Sequence, residues 1–283
     1  MTIFSDLKVV MRRMRSARRR RAKLVFSFSE IQDILYKTTA ENYAIRPPLP
    51  YSTKRGAYKG GPIPNLVHFI WIGSPIPQKY IDNIREFTNL NSTLSVILWV
   101  DHACPAIRRV DVRLLDAADL LNSDIYHRSK NVAVRADLLR LEKIYRYGGI
   151  YSDVDVKVVQ PLDSTFQRSF LCFEPHTWRD TGNAMFGFAQ NDDLMSACVR
   201  DLAKHIEWIL SSRQDLLLPN GDNVSRLCGG LYIMATLFTF SNLAELQFIN
   251  QDYVITDTGF GYSYHTNDAT WCKSLCEVEN LYS

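Results

Sequence analysis

No run of about 18 uninterrupted apolar residues occurs in the 283-residue chain, so no membrane-spanning helix is expected. Cys-x-x-Cys pairs and histidine clusters are missing as well, which leaves no zinc site of ordinary spacing. The six cysteines (Cys104, Cys172, Cys198, Cys228, Cys272 and Cys276) are scattered. With no signal peptide ahead of them, they read as reduced core residues of a cytoplasmic protein. The two N-glycosylation patterns, Asn91-Ser92-Thr93 and Asn223-Val224-Ser225, would matter only in a secretory lumen. Acidic residues are nearly absent from the first 23 positions, where Asp6 stands among nine basic side chains. Taking these from the totals of 33 basic and 30 acidic residues leaves 24 against 29, a mildly acidic remainder. That balance argues against nucleic acid as a partner, because binding the phosphate backbone needs a basic folded module.

What is present falls into two parts. Phe4, Leu7, Met11 and Met14 recur at helical spacing, and arginines fill most other positions from 12 to 21. Residues 4–23 therefore read as a basic amphipathic helix suited to peripheral attachment at an anionic membrane. A nucleic-acid arm, a targeting peptide and a helix packed on its own domain are the competing readings. A short helix over 29–42 and a Pro/Gly/Tyr/Lys-rich connector over 46–61 follow. The expected division is an amino-terminal region, 1–60, and an α/β catalytic domain, 61–283.

The most informative stretch runs from Asn131 to Lys157. Val134, Leu138, Leu141 and Tyr145 form one helical stripe, which leaves Arg135, Glu142 and Arg146 to solvent. Gly148 and Gly149 stop the helix, since a glycine past the last turn accepts a positive φ. Residues 150–159 then predict a strand in which Asp153 and Asp155 share one face. Two adjacent carboxylates repel each other unless a cation sits between them. A hard divalent ion, Mg²⁺ or Mn²⁺, takes oxygen ligands from one or two carboxylates and from a substrate's phosphates. Read alone, Asp-x-Asp is only a polar strand end.

Ala136-Asp137-Leu138-Leu139-Arg140, followed by Tyr147-Gly148-Gly149-Ile150-Tyr151-Ser152-Asp153-Val154-Asp155, resembles the signature of the Asp-x-Asp glycosyltransferases of the GT-A fold. The pattern is similar to that of glycosyltransferase family 32 and of the sugar-transferring domains of large clostridial toxins. Ile63 to Gly73 looks like the first strand of that family. The resemblance implies a Rossmann-type open, mainly parallel sheet flanked by helices. It implies a metal-dependent transfer of a sugar from a nucleotide diphosphate sugar to an acceptor hydroxyl, with retention of configuration. A UDP-sugar is the favoured donor and GDP-mannose the alternative, and the acceptor would be a glycan, a lipid-linked sugar or a protein, as in glycan or surface polysaccharide synthesis. Asp155 would hold the metal, and Asp153 the ribose or a metal-bound water. Asp137 and Arg140 would hold sugar hydroxyls, with Tyr151 beside them. Trp71 would stack on the base, and His265 and Trp271 would complete the metal or diphosphate side from a carboxyl-terminal tail. Leu227-Cys228-Gly229-Gly230 departs from the family's Thr-Gly-Pro, which leaves the acceptor side open.

From the residues themselves, Trp71 reads as a core tryptophan, which only the resemblance reverses, and His68 reads as a satisfied strand histidine. Asp137 and Arg140, three apart on a helix, could be a surface ion pair. The remaining pattern predicts helices at 77–90, 192–210 and 229–240, and strands at 66–72, 95–100, 112–115, 170–174 and 184–189. Two rival functions fit parts of it. A haloacid dehalogenase-type phosphatase would use Asp153 as nucleophile, Asp155 as acid/base and Asp192-Asp193 as its later acidic pair, although about eighty residues of α/β pattern precede that motif. A non-enzymatic, membrane-docked sugar-binding protein would need only the binding groups.

Overall fold

The computed structural model describes residues 25–26, 49–162, 164–173, 181–214, 223–250 and 263–265. The helices expected over 4–23 and 29–42, and Trp271, lie outside these residues. In chain order the strands are β1 (Val25–Phe26), β2 (Arg55–Ala57), β3 (Leu66–Trp71), β4 (Ser95–Val100), β5 (Val110–Leu114) and β6 (Gly149–Ser152). They continue with β7 (Val156–Val158), β8 (Phe170–Phe173), β9 (Thr181–Phe188), β10 (Phe240–Asn242), β11 (Gln247–Asn250) and β12 (Ser263–His265). The α-helices are α1 (Gln78–Leu90), α2 (Ser123–Arg128), α3 (Val132–Tyr147), α4 (Asp193–Ser212), α5 (Asn223–Leu227) and α6 (Gly230–Leu237).

Eight strands form one sheet in the order β1-β11-β8-β9-β6-β3-β4-β5. From β6 through β3 and β4 to β5 every pairing is parallel, with α1 making the crossover between β3 and β4. β9 enters antiparallel to both β6 and β8, and β11 is again parallel to β8. The expected open α/β sheet flanked by helices is what forms. Alternation along the strands sorts the core into two layers. Val67, Phe69, Val96 and Leu98 face α1, where Tyr80, Ile81, Ile84 and Phe87 cover them. Ile70, Ile97, Trp99, Tyr151 and Phe186 face the other way, onto α3, α4 and α6.

Local chemistry explains the central helix. Asn131 caps α3 by accepting from Ala133 N and Val134 N, satisfying donors that the helix cannot pair itself. Gly148 ends it at φ 63°, and a Cβ there would lie 2.5 Å from Gln190 N. Gly149 has φ 102°, and its Cβ would meet Leu66 O at 2.5 Å, so only glycine lets β6 start against β3. His68 accepts from Trp99 Nε1 and pairs with Gly148 O, which makes it the satisfied strand histidine expected. Burial lowers its pKa to about 4.

Three expectations change. The strand over 150–159 is interrupted: Val156 N bonds to Asp153 O at 3.1 Å, so residues 153–155 form a turn between β6 and β7. Glu142 is buried rather than wet, because its carboxylate accepts from Leu121 N and Asn122 N at the start of α2. The connector, where described, is packed: Arg55 bonds Asp201 of α4, and Tyr58 is buried with its hydroxyl on Asp192. Asn91 and Asn223 are both buried, so neither glycosylation pattern is presented on the folded surface. Among the described residues no helix is long and apolar enough to cross a membrane.

Candidate active site

The two carboxylates of the Asp-x-Asp motif leave the carboxyl end of β6, one strand away from β3, where open α/β sheets bind ligands. Every backbone group that holds the turn has an identifiable partner. Asp153 N extends the β6–β9 ladder by bonding Ala184 O at 2.8 Å, and Asp153 O closes the turn with Val156 N. The carbonyls of Val154 and Val156 both accept from Asn83 Nδ2 of α1, at 2.6 and 3.0 Å. Val154 is buried, while Asp153 and Asp155 on either side of it are half-buried, so both acids reach the mouth of the sheet.

Arg140 joins the motif to α3. Its Nη2 lies 2.9 Å from Asp137 Oδ1 and 3.4 Å from Asp153 Oδ1, and Nη1 donates to Asn183 O at 2.7 Å. The guanidinium lies 4.5 Å from the centre of the Tyr151 ring, and the Tyr151 hydroxyl donates to Asp153. Burial disfavours the Arg140 charge, but Asp137 and Asp153 outweigh it and push its pKa above the ordinary value. Burial also raises Tyr151 well above the usual phenol range, which keeps it a neutral donor. Asn183 Nδ2 donates to both oxygens of Asp137 at 3.3 Å. The Asp137–Arg140 pair, which spacing alone allows on the surface, is thus internal and shared with the motif. Among the described residues the buried Arg140 Nε has no hydrogen-bond partner. At Gly229 an added Cβ would approach Asp137 Oδ2 to 2.6 Å, so the departure from Thr-Gly-Pro still presents bare backbone to this carboxylate.

Trp71 is half-buried at the carboxyl end of β3. Its indole donates to Ser74 O, and its ring lies 4.8 Å from that of Tyr80. Gly73 follows at φ 85°, with its N–H on Asp101. The β12 backbone pairs antiparallel with β7, placing His265 opposite Val156, the residue after Asp155. Residues 263–265 therefore run beside the motif, and Trp271 lies outside the described residues. Asp192 is elsewhere: it caps α4 through Leu194 N and Met195 N and holds Tyr58, which removes it as a phosphatase partner for Asp153. Reading the residues alone missed Asn83, Asn183 and Gly229. The Leu227–Gly230 departure was the one signal that pointed near any of them.

Asp153 and Asp155 supply carboxylate oxygens alone, the donor chemistry of Mg²⁺ or Mn²⁺. Among the described residues no group of three His, Cys, Asp or Glu gathers, so a bound diphosphate would have to complete the coordination. The carboxylates of Asp153 and Asp155 fit such an ion and would hold it together with the diphosphate.

Residues 77–171, from the start of α1 through β8, match the family model described as a glycosyltransferase sugar-binding region containing the DXD motif. The matched span holds Asp137, Arg140, Asp153 and Asp155, so the chain carries a region similar to the sugar-binding region of the DXD glycosyltransferases. It is similar to "Subversion of eukaryotic traffic protein A" of Legionella pneumophila, 27% identical over 77% of this chain and 41% of the relative. It is also similar to "Inositol phosphoceramide mannosyltransferase 3" of Schizosaccharomyces pombe, 29% identical over 50% of this chain and 38% of the relative. The chain thus spans less than half the length of these curated relatives. Among solved structures, one titled "PaToxG Glycosyltransferase" superposes with a TM-score of 0.47 at 16% identity, covering 73% of this chain and 74% of that one.

Proposed function

We propose that the chain transfers a sugar from a nucleotide diphosphate sugar, a UDP-sugar in first place, to an acceptor hydroxyl with retention of configuration. The observation that carries this is the join of the Asp153–Asp155 turn to the buried Arg140–Asp137 pair at the carboxyl edge of the parallel strands. Asp137, fixed by Arg140 and Asn183, accepts from hydroxyls of the donor sugar. Asp153, oriented by Tyr151 and Arg140, accepts from the ribose, and Trp71 stacks on the base. Asp155 holds Mn²⁺ or Mg²⁺, which when bound neutralises charge building on the departing diphosphate. Burial of Arg140 and Asp137 keeps the sugar side dry, which strengthens each polar contact there.

The acceptor is a glycan, a lipid-linked sugar or a protein. A relative named for acting on inositol phosphoceramide, together with the basic segment 4–23, supports an acceptor at an anionic membrane surface, approached from the cytoplasm. Screening the purified chain against UDP- and GDP-sugars with Mn²⁺, by thermal shift and by acceptor-free hydrolysis, tests the reading. One donor should give both a metal-dependent shift and slow hydrolysis. Binding without any hydrolysis would favour the sugar-binding protein, and hydrolysis of simple phosphomonoesters the phosphatase.

A further inference from the structure

We infer that Asn83 on α1 is a positioning residue for the Asp-x-Asp turn, and that its two donated hydrogen bonds set where Asp155 is presented. The inference rests on the reading of Asp155 as a metal ligand. Asn83 Nδ2 spans the turn from outside, donating to Val154 O at 2.6 Å and to Val156 O at 3.0 Å. These are the carbonyls on either side of Asp155, so that residue hangs between two pinned peptide units. On its other flank the turn is held by Asp153 N on Ala184 O and by Val156 N on Asp153 O. Asn83 therefore fastens the turn from the α1 side, as Arg140 of α3 does through the Asp153 carboxylate.

The orientation of the amide is determined by its surroundings. Turned over, its oxygen would face two carbonyl oxygens, so the nitrogen must point at the turn. The cost of that choice is visible, because Asn83 Oδ1 is buried with no hydrogen-bond partner among the described residues. A leucine would avoid the unpaired oxygen while filling similar space, so the donated bonds are what asparagine contributes. One turn further along the same helix, Glu86 pairs with Lys157 Nζ at 3.2 Å in a solvent-exposed contact. One turn before, Tyr80 packs on Trp71. Helix α1 thus touches both the proposed base-stacking residue and the turn that carries the proposed metal ligand.

The test measures Mn²⁺ affinity directly, from free Mn²⁺ by electron paramagnetic resonance with saturating UDP, alongside donor KM and kcat. Asn83→Ala should weaken Mn²⁺ binding at least tenfold and lower kcat/KM for the donor, while Glu86→Ala, which loses only the exposed pair, changes either by less than twofold. Asn83→Asp, which keeps the size of the side chain but sets a carboxylate against both carbonyls, guards against a merely unfolded alanine variant, with thermal unfolding followed alongside. In folded protein its Mn²⁺ affinity should fall at least as far as that of Asn83→Ala. Wild-type Mn²⁺ affinity in folded Asn83→Ala or Asn83→Asp, or an equal loss in Glu86→Ala, would overturn the positioning role. Absence of UDP-dependent Mn²⁺ binding in the wild-type chain would remove the metal reading of Asp155 and this inference with it.

Discussion

Replacing Arg140 with methionine should be the most damaging single change away from the Asp-x-Asp motif itself. Arg140 is 8% exposed and Asp137 3%, so the substitution strands a carboxylate in the interior without its guanidinium partner. Breaking a buried pair by removing one partner costs about 3–5 kcal/mol, against a total stability on the order of 5–15 kcal/mol. For a domain of this size that corresponds to a fall in Tm on the order of 10 °C. The loss of the contacts to Asp153 and Asn183 O should also raise the donor KM. Adding Asp137→Asn to the Arg140→Met chain removes the stranded charge while keeping a group that can pair with Asn183. The double variant should recover stability, with a coupling of about 2 kcal/mol between the two positions. Urea denaturation of the four chains measures this. A loss below about 1 kcal/mol for Arg140→Met, or strict additivity in the cycle, would show that the two groups do not form an internal pair.

Other outcomes follow from the same geometry. Burial raises the Asp192 pKa to about 6, above its ordinary 3.8, so the folded state favours the protonated acid. Its contribution is fully present below about pH 4 and is lost as pH rises through 6, by roughly 3 kcal/mol. Asp192→Asn keeps an oxygen for the α4 cap, so denaturation at several pH values should show the variant gaining on the wild type from pH 4 to 6 and levelling above; a constant gap would refute the assignment. Gly148→Ala places a Cβ against Gln190 N at φ 63° and should lose at least about 1–3 kcal/mol in the same assay. Deleting residues 1–23 should abolish salt-sensitive binding to anionic vesicles, seen by co-sedimentation, while leaving soluble-acceptor activity; equal binding by both chains would end the membrane argument.

Legibility in the sequence followed the range of the interactions. The β3–α1–β4 unit, α3 and its glycine stop could be read because period, cap and turn are local signals. The turn at 153–155 could not: Val154, Val156 and Val158 alternate as a strand would, and the bend is held by Asn83, 71 residues before Val154. Glu142 was assigned to solvent because a single apolar stripe says nothing of what covers the opposite face, where the start of α2 lies. Asp137 and Arg140 were found by resemblance. Their burial depends on Asn183 from β9 and on the bare backbone at Gly229, both far along the chain.

The central claim, that Asp155 carries the metal on which transfer depends, is tested most directly by Mn²⁺-dependent turnover of the preferred nucleotide sugar in wild-type and Asp155→Ala chains of matched stability. The account predicts that turnover and metal-dependent donor binding vanish together in the variant while its denaturation midpoint is kept or raised, since one of two neighbouring carboxylates is gone. Retained Mn²⁺-dependent turnover in Asp155→Ala would contradict it.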